Sequence, residues 1–215
     1  MHDLIVLIPS FNERVSLIKI LKKLNKKIEV LVIDDGSTDG TSIDPFVKNI
    51  NIIINKKRLG YEQSLITGIK FIKNNFKKKY ILTFDADGEH PINAIEKLYR
   101  KMRFNNLDLL IGERDQKNRL SETLLSFIFT KKLGLSDPLS GLKIYKSYIL
   151  YKILKNIKNN YFLVDIIWEF INHKAIIENV KIKTNKIKNR KSRVGNLLYS
   201  NYKIYFIILK TLFKY

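Results

Sequence analysis

Apolar residues along the chain fall into short runs broken by polar turns. Leu4–Ile8, Glu29–Ile33, Ile50–Ile54, Tyr80–Phe84 and Leu107–Ile111 are brief, nearly continuous apolar stretches. Such runs predict strands buried on both faces. Between them, apolar positions recur at helical spacing: Val15, Ile18, Leu21 and Leu24 predict one helix, Tyr61–Phe71 a second, and Pro91–Phe104 a third, with Pro91 suited to a helix's first turn. Strands that alternate with helices predict an α/β domain with a mostly parallel sheet and helices on both faces. The second half is less regular. Ser121–Leu133, Asp165–His173 and Gly195–Phe213 have helical patterns, and Ala175–Ile182 reads as extended. Asp137–Tyr145 ("DPLSGLKIY") is a turn-rich loop running into a short strand. No repeat or low-complexity linker divides the chain. The expected layout is one domain over 1–195, with halves meeting near residue 115, followed by a basic amphipathic helix over 196–215.

In an open α/β sheet, ligands bind beyond the carboxyl ends of the strands. Here those ends carry Pro9-Ser10-Phe11-Asn12-Glu13, Asp34-Asp35-Gly36-Ser37, Asp85-Ala86-Asp87 and Gly112-Glu113-Arg114. Asp85 and Asp87 stand two apart as a strand ends, so their side chains share a direction. Two carboxylates suit a hard cation, Mg²⁺ or Mn²⁺, that also takes phosphate oxygens. The alternative is a solvated turn capping a helix. A calcium loop does not fit, because Gly88 is fourth where that loop needs a sixth-position glycine. Asp39 is expected to serve a local turn. Glu89 either supports a metal through water or favours a helix N-terminus. His90 is a poor magnesium ligand and is expected behind the ligands or facing the acceptor. His173 and Trp168 read as structural.

Charge adds a second theme. The chain has 40 Lys and Arg against 20 Asp and Glu, a formal net charge of +20. After Glu178 there is no acidic residue and there are ten Lys or Arg. A basic tail implies an anionic partner: nucleic acid, a membrane surface or a phosphorylated substrate. A compositional bias toward Lys, Asn and Ile accounts for part of the overall charge. There is no cysteine, which excludes disulfides, thiolate metal sites and a cysteine nucleophile and suits a reducing cytosol. The opening apolar run is too short and lacks a basic flank for a signal peptide, and no run reaches the roughly 18–20 residues of a spanning helix.

Taken together and in this order, "IPSFNE", "VLVIDDGSTDGT", "FDADGEHP" and "DPLSGLKIY" resemble the inverting glycosyltransferases of family 2, which have the GT-A fold with its Rossmann-like sheet. The likeness is greatest to the dolichol- or polyprenol-phosphate mannose/glucose synthase branch and covers roughly residues 3–196; it implies a nucleotide-sugar-binding half over about 1–115 and an acceptor half over about 116–195. It implies that Pro9, Asn12, Glu13, Asp34, Asp35, Gly60 and Arg114 bind the nucleotide sugar, together with Asp85. It implies that Asp85 and Asp87 hold Mg²⁺ or Mn²⁺. Asp137, Ser140 and Gly141 match the acceptor side, with Asp137 as the candidate base, its alternative being a turn residue before Pro138. "KNRKSRVGN" (Lys188–Asn196) is similar to a basic segment near the donor diphosphate, with Arg190 and Arg193 placed among the catalytic groups beside Asp87 and Asp137.

The resemblance implies single displacement from a GDP- or UDP-sugar donor. A phosphate monoester acceptor has a second pKa of about 6 and is already ionised; a sugar hydroxyl needs a general base. In the tail, Leu198, Tyr202, Tyr205, Leu209 and Leu212 fall at helical spacing with Lys203, Lys210 and Lys214 on another side, a pattern suited to an anionic membrane surface. The same helix packed on the core, or in a homodimer, is the alternative. The expected function is transfer to a polyprenyl phosphate at the cytoplasmic membrane face by a peripheral enzyme. Two competitors are transfer to a hydroxyl of a growing polysaccharide or glycolipid, and a basic nucleic-acid-binding protein. The last lacks any helix-turn-helix, RNA-binding sheet signature or zinc site.

Overall fold

The computed structural model describes residues 1–24, 28–117, 119–157, 161–185 and 197–214. The predicted strands form as β1 (Leu4–Ser10), β2 (Glu29–Asp34), β3 (Asn51–Ile54), β4 (Tyr80–Thr83) and β5 (Leu109–Arg114), joined by β6 (Lys143–Lys146) and β7 (Ile177–Ile182). They make one seven-stranded sheet in the order β3-β2-β1-β4-β6-β5-β7. All pairings are parallel except those of β6, which runs antiparallel to β4 and β5. The chain builds outward from β1 through β2 to β3, then returns to place β4 on the other side of β1. The ends of β1 and β4 therefore flank a switch in strand order, the usual place for a ligand crevice in such sheets.

Period-2 alternation explains why the strands are apolar throughout. Leu4, Val6 and Ile8 of β1 enter one core, and Ile5 and Leu7 enter the other. The same split recurs in β2, with Val30 and Val32 on one side and Leu31 and Ile33 on the other. Helices α1 (Arg14–Lys23) and α4 (Asn93–Phe104) cover the first face through Leu17, Ile20, Leu21, Ile95, Leu98 and Met102. The second face is covered by α3 (Tyr61–Asn75), α5 (Leu120–Leu133), α6 (Ser147–Ile153), α7 (Phe162–Asn172) and α8 (Leu197–Lys214). A single turn of helix, α2 (Pro45–Lys48), sits before β3, capped by Asp44, whose carboxylate accepts from Phe46 N at 2.9 Å.

Three features depart from the pattern-based expectation. Helix α6 follows β6 without a break, so its short apolar run carries no separating turn signal. Helix α4 begins at Asn93, two residues after Pro91, whose carbonyl accepts from Ala94 N. Helix α7 begins at Phe162 rather than Asp165. In α8 the residues turned inward are Ile204, Ile207, Ile208 and Thr211, while Tyr202, Tyr205 and Leu209 are exposed. The side chains of Leu198, Lys203, Lys210, Leu212 and Lys214 lie outside the described residues. One face of α8 thus packs on the core, beside α5, and the tyrosine–leucine stripe faces out.

Close packing of α3 on the sheet rests on Gly68. A Cβ there would lie 2.3 Å from Leu7 Cδ1 and 3.2 Å from Ile33 Cγ1. Gly68→Ala is expected to cost about 1–3 kcal/mol of stability by overpacking. Leu7→Ala alone opens a cavity and costs about 2–5 kcal/mol. The double variant, measured by urea denaturation, is expected to be less destabilised than the sum, because the new methyl enters the vacated space; simple additivity would show that the two positions do not meet.

Candidate active site

Two groups of side chains meet at the carboxyl edge of the sheet. The first joins the ends of β1 and β2. The backbone N–H of Asn12 donates to Ser37 Oγ at 2.9 Å, and Thr38 N donates back to Asn12 Oδ1 at 2.8 Å. Asn12 takes a positive φ of 55°, which asparagine tolerates better than most residues. Asp34 Oδ1 accepts from Ser37 N at 3.0 Å, while its buried Oδ2 and the buried hydroxyl of its strand neighbour Ser10 have no hydrogen-bond partner among the described residues. Asp35 is engaged at both oxygens: Oδ1 accepts from Asn55 Nδ2 and Leu59 N, and Oδ2 from Gly60 N, all at 2.8–2.9 Å. It therefore fixes the 55–60 loop that delivers α3. Pro9 is buried in β1, and Glu13 accepts from Ser16 Oγ at 2.6 Å at the start of α1. Asp39 accepts from Arg14 N and from both Thr41 N and Thr41 Oγ1, the local turn role expected of it.

The second group centres on the Asp85–His90 loop after β4. Asp85 accepts from the Tyr61 hydroxyl at 2.7 Å and lies 3.4 Å from His90 Nε2. Burial alone would raise its carboxyl, but His90, Tyr61 and Arg114 outweigh that and hold it at about 2. His90 is buried against Phe84, behind Asp85 rather than facing an open cleft. Burial lowers its imidazole, yet Asp85, Glu89 and Asp87 together raise it above the ordinary value. Tyr61 is 36% exposed as a residue, but its hydroxyl is bound to Asp85; burial and then Asp85 push it well above the usual phenol range, so it stays a donor. Asp87 Oδ1 accepts from Glu89 N at 2.8 Å. Gly141 closes the back of this loop: a Cβ there would sit 2.4 Å from both oxygens of Asp85 and 2.5 Å from the Tyr61 hydroxyl. Only glycine leaves the carboxylate its place.

The 137–141 turn is bound to the same loop through Arg114. Asp137 Oδ2 accepts from Arg114 N and Nε at 2.9 Å, and Oδ1 accepts from Nη2 at 2.9 Å. Arg114 Nη2 also meets Glu122 at 3.2 Å, and Nη1 lies 3.8 Å from Glu89. Burial would raise the Asp137 carboxyl and lower the Arg114 guanidinium; their hydrogen bonds and opposite charges reverse both, so both remain ionised. Asp137 adopts a φ of 50°, its N–H donates to Ser126 Oγ, and Ser140 Oγ donates to Gly112 O at 2.6 Å. Arg114 thus acts as the hub of three carboxylates.

The structure brings Asp85, Asp87, Arg114, Asp137, Ser140 and Gly141 into one connected set, and Asn12, Asp34, Asp35 and Gly60 into another. Gly60 and Tyr61, adjacent in sequence, join the two. Lys188–Asn196, with Arg190 and Arg193, lies outside the described residues. Pattern reasoning missed Tyr61, Glu122 and Lys143, none of which has a local signal beyond proximity to a motif. Among the described residues no group of three or more His, Cys, Asp or Glu is arranged to hold a metal ion. Two neighbouring carboxylates without a third protein ligand suit a magnesium-type ion that completes its shell with phosphate and water.

Arg114→Met is expected to cost about 3–5 kcal/mol at pH 7, because it strands buried carboxylates. Arg114 lowers the Asp137 pKa, so its contribution is present above the unfolded carboxyl value of about 4 and is lost as pH falls through the lower folded value. In the variant the stranded carboxylates take up protons readily. The penalty, read as the difference in urea-unfolding free energy from wild type, should therefore be smaller at pH 4.5 than at pH 7. An equal penalty at both would mean that Arg114 contributes packing alone.

Comparison with known proteins agrees with this layout. The family model "Glycosyl transferase family 2" matches residues 5–124. The uncharacterized protein MJ1222 of Methanocaldococcus jannaschii is 32% identical, over 98% of this chain and 93% of its own length. A second protein of that organism, MJ0544, is 37% identical over 54% of this chain, and the match spans about half of its length, 53%. The polyprenol monophosphomannose synthase of Mycolicibacterium smegmatis is 25% identical over 83% of this chain and 76% of its own. Among solved structures, glucosyl-3-phosphoglycerate synthase from Mycobacterium tuberculosis, in complex with Mn²⁺, UDP and glucosyl-3-phosphoglycerate, superposes with a TM-score of 0.71 at 14% identity, over 99% of this chain and 79% of that one. The sheet order, the paired carboxylates after β4 and the matched sequence together place the chain in glycosyl transferase family 2, with the GT-A fold.

Proposed function

We propose that this protein transfers a sugar from a nucleotide-sugar donor to the phosphate of a polyprenyl phosphate, with Mg²⁺ or Mn²⁺ held by Asp85 and Asp87. The observation that carries the acceptor assignment is the state of Asp137. It is buried, bound to Arg114 through three hydrogen bonds, and held below the ordinary carboxylate range. A carboxylate so placed is a weak base and cannot easily take a proton from a sugar hydroxyl. A phosphate monoester asks for no base, since its second pKa of about 6 leaves it ionised at neutral pH. The mycolicibacterial relative is a polyprenol monophosphomannose synthase by name, which is in line with this acceptor class.

In this reading Asn12, Asp34, Asp35 and Gly60 shape the nucleotide pocket beside Pro9 and Glu13. Asp85, oriented by Tyr61 and His90, and Asp87, braced on Glu89 N, are the ligands of the ion. A divalent ion bound there supplies charge neutralisation for the departing diphosphate. Arg190 and Arg193 are assigned to the same diphosphate through charge-assisted hydrogen bonds. Arg114 keeps Asp137 and Glu89 in place on either side of the cleft. Displacement in one step inverts the anomeric centre.

The outer surface suits a lipid acceptor. No helix among the described residues is long and apolar enough to cross a membrane. Yet α5 exposes Leu120, Leu124 and Phe127, and α8 exposes Tyr202, Tyr205, Phe206 and Leu209. The two helices are linked by Ser121 Oγ to Asn201 Oδ1 and by Lys132 Nζ to Thr211 O. An apolar, lysine-bearing face of this kind fits the headgroup region of an anionic bilayer and makes peripheral docking part of the proposal.

Donor screening with UDP- and GDP-sugars against a short polyprenyl phosphate, scored by lipid-linked product, tests the whole reading. Asp87→Asn is expected to lower metal-dependent transfer by about 10²–10³-fold, and Asp137→Asn by clearly less. Equal losses in the two variants would favour a base at Asp137 and a hydroxyl acceptor. No binding of either nucleoside diphosphate, beside salt-sensitive DNA binding, would sink the enzyme reading. For docking, the protein is expected to co-sediment with phosphatidylglycerol vesicles and a Leu124→Ser/Phe127→Ser/Leu209→Ser variant to lose most of that binding; undiminished sedimentation would remove this face from the proposal.

A further inference from the structure

Lys143 is the most unusual buried group that the reading above does not use. It opens β6 in the middle of the sheet, paired with Thr83 of β4 and Ile111 of β5, and is fully buried. A lysine in such a place must find donors' partners or stay neutral. Burial does push its amine down, to about 7, while Asp137 pulls the other way. Among the described residues no carboxylate lies within ion-pair distance of it. Its Nζ instead donates to two backbone carbonyls, Pro138 O at 2.9 Å and Ser140 O. A leucine or methionine would fill the same space without the cost of burying an amine, so packing alone gives no reason for lysine here.

Both carbonyls belong to the turn between α5 and β6, and that turn holds the site together. It carries Asp137, strained at positive φ and bound to Arg114. It carries Ser140, whose hydroxyl reaches Gly112 O. It ends in Gly141, which abuts both oxygens of Asp85 and whose carbonyl accepts from Thr83 Oγ1 at 2.6 Å. No regular backbone ladder covers Pro138–Ser140; among the described residues its backbone makes one turn bond, Ser140 N to Asp137 O.

We infer that Lys143 is a positioning residue: its amine ties the carbonyls of Pro138 and Ser140 from beneath, fixing the 137–141 turn so that Gly141 backs the Asp85 carboxylate and Asp137 meets Arg114. The inference deepens the proposed reading of this site and rests on it for its catalytic consequence. Its structural consequence stands apart from that reading. The amine donates to the carbonyls whether it is charged or neutral, so the tie depends on hydrogen bonds and not on charge.

Two substitutions separate the tie from mere volume. Lys143→Met keeps the length and removes the donors; Lys143→Gln keeps two neutral N–H donors on a shorter stem. Hydrogen exchange by mass spectrometry on the full chain is the first readout. In Lys143→Met, amides of 137–142 are expected to exchange at least about tenfold faster, the scale of one or two lost hydrogen bonds, with melting temperature held or raised. Lys143→Gln is expected to restore part of the protection. The second readout is kinetic: kcat for lipid-linked product falls about tenfold in Lys143→Met while the donor KM moves little, and Lys143→Gln recovers part of the rate. Unchanged exchange in Lys143→Met, or a rate loss that merely follows a drop in melting temperature, would overturn the inference. If wild type binds no Mn²⁺–UDP or Mn²⁺–GDP by calorimetry, the functional reading fails, and the exchange experiment still decides the role of Lys143.

Discussion

Everything around the 137–141 turn hangs on one largely buried guanidinium. Arg114 ends β5, and from there it reaches Asp137 in the turn before β6, Glu122 in the first turn of α5, and Glu89 in the loop after β4. Four segments far apart in sequence are joined through one side chain. Burying such a group costs several kcal/mol in desolvation, and its attraction to the acids repays that only when geometry and hydrogen bonding are good. Here the Asp137 pair has both: two side-chain bonds and a backbone bond from the same residue. The arrangement is poor evidence for extra stability, since an apolar core would do as well. It is better evidence for a required geometry, because the acids fix where each loop stops.

This geometry also resolves why a chain of net charge +20 gathers acid at one place. Asp85, Asp87, Glu89, Glu122 and Asp137 lie among Arg114, Arg119, His90 and the buried Lys143, so acids gather there against the trend of the chain. Acids gathered inside a basic surface suit a cation first and anions afterwards. A basic surround of this kind raises the local concentration of phosphorylated ligands. The two signs are complementary parts of one electrostatic layout.

Much of the scaffold was legible from periodicity. The five strands of the first half alternate between two cores, and that is why they read as unbroken apolar runs. The loops at their carboxyl ends carried the site residues, because the order of strands forces those ends together. What escaped has physical reasons. Helix α6 follows β6 directly, so no turn residue marks its start. The stripe of Tyr202, Tyr205 and Leu209 was apolar by spacing, yet Ile204, Ile207 and Ile208 occupy the inward face; a helix apolar on most sides does not reveal which side docks. The pairing of Arg114 with Glu89, Glu122 and Asp137 was not foreseen, because no local pattern announces such partners. Lys143 gave no signal, because its burial belongs to the sheet and not to the sequence around it.

The same connections tie the chemistry to the surface. Helix α5 has two duties separated by a fraction of a turn. Glu122 points inward to Arg114, while Leu120 and Leu124 are exposed, Leu120 at 88%. Side chains two apart on a helix face different ways, so a single turn presents a charged inner side and an apolar outer side. A phosphate attached to a long hydrocarbon has the same polarity along its length. In the proposed reading its head lies among the groups around Asp85 and its chain leaves along α5, without either having to cross a surface of the wrong kind. A soluble hydroxyl acceptor would have no use for the outer half of that arrangement, and it would also need the base that Arg114 has taken out of service. The apolar face and the occupied aspartate are independent features, set by different residues, and in the proposed reading both favour a lipid-borne phosphate over a soluble hydroxyl.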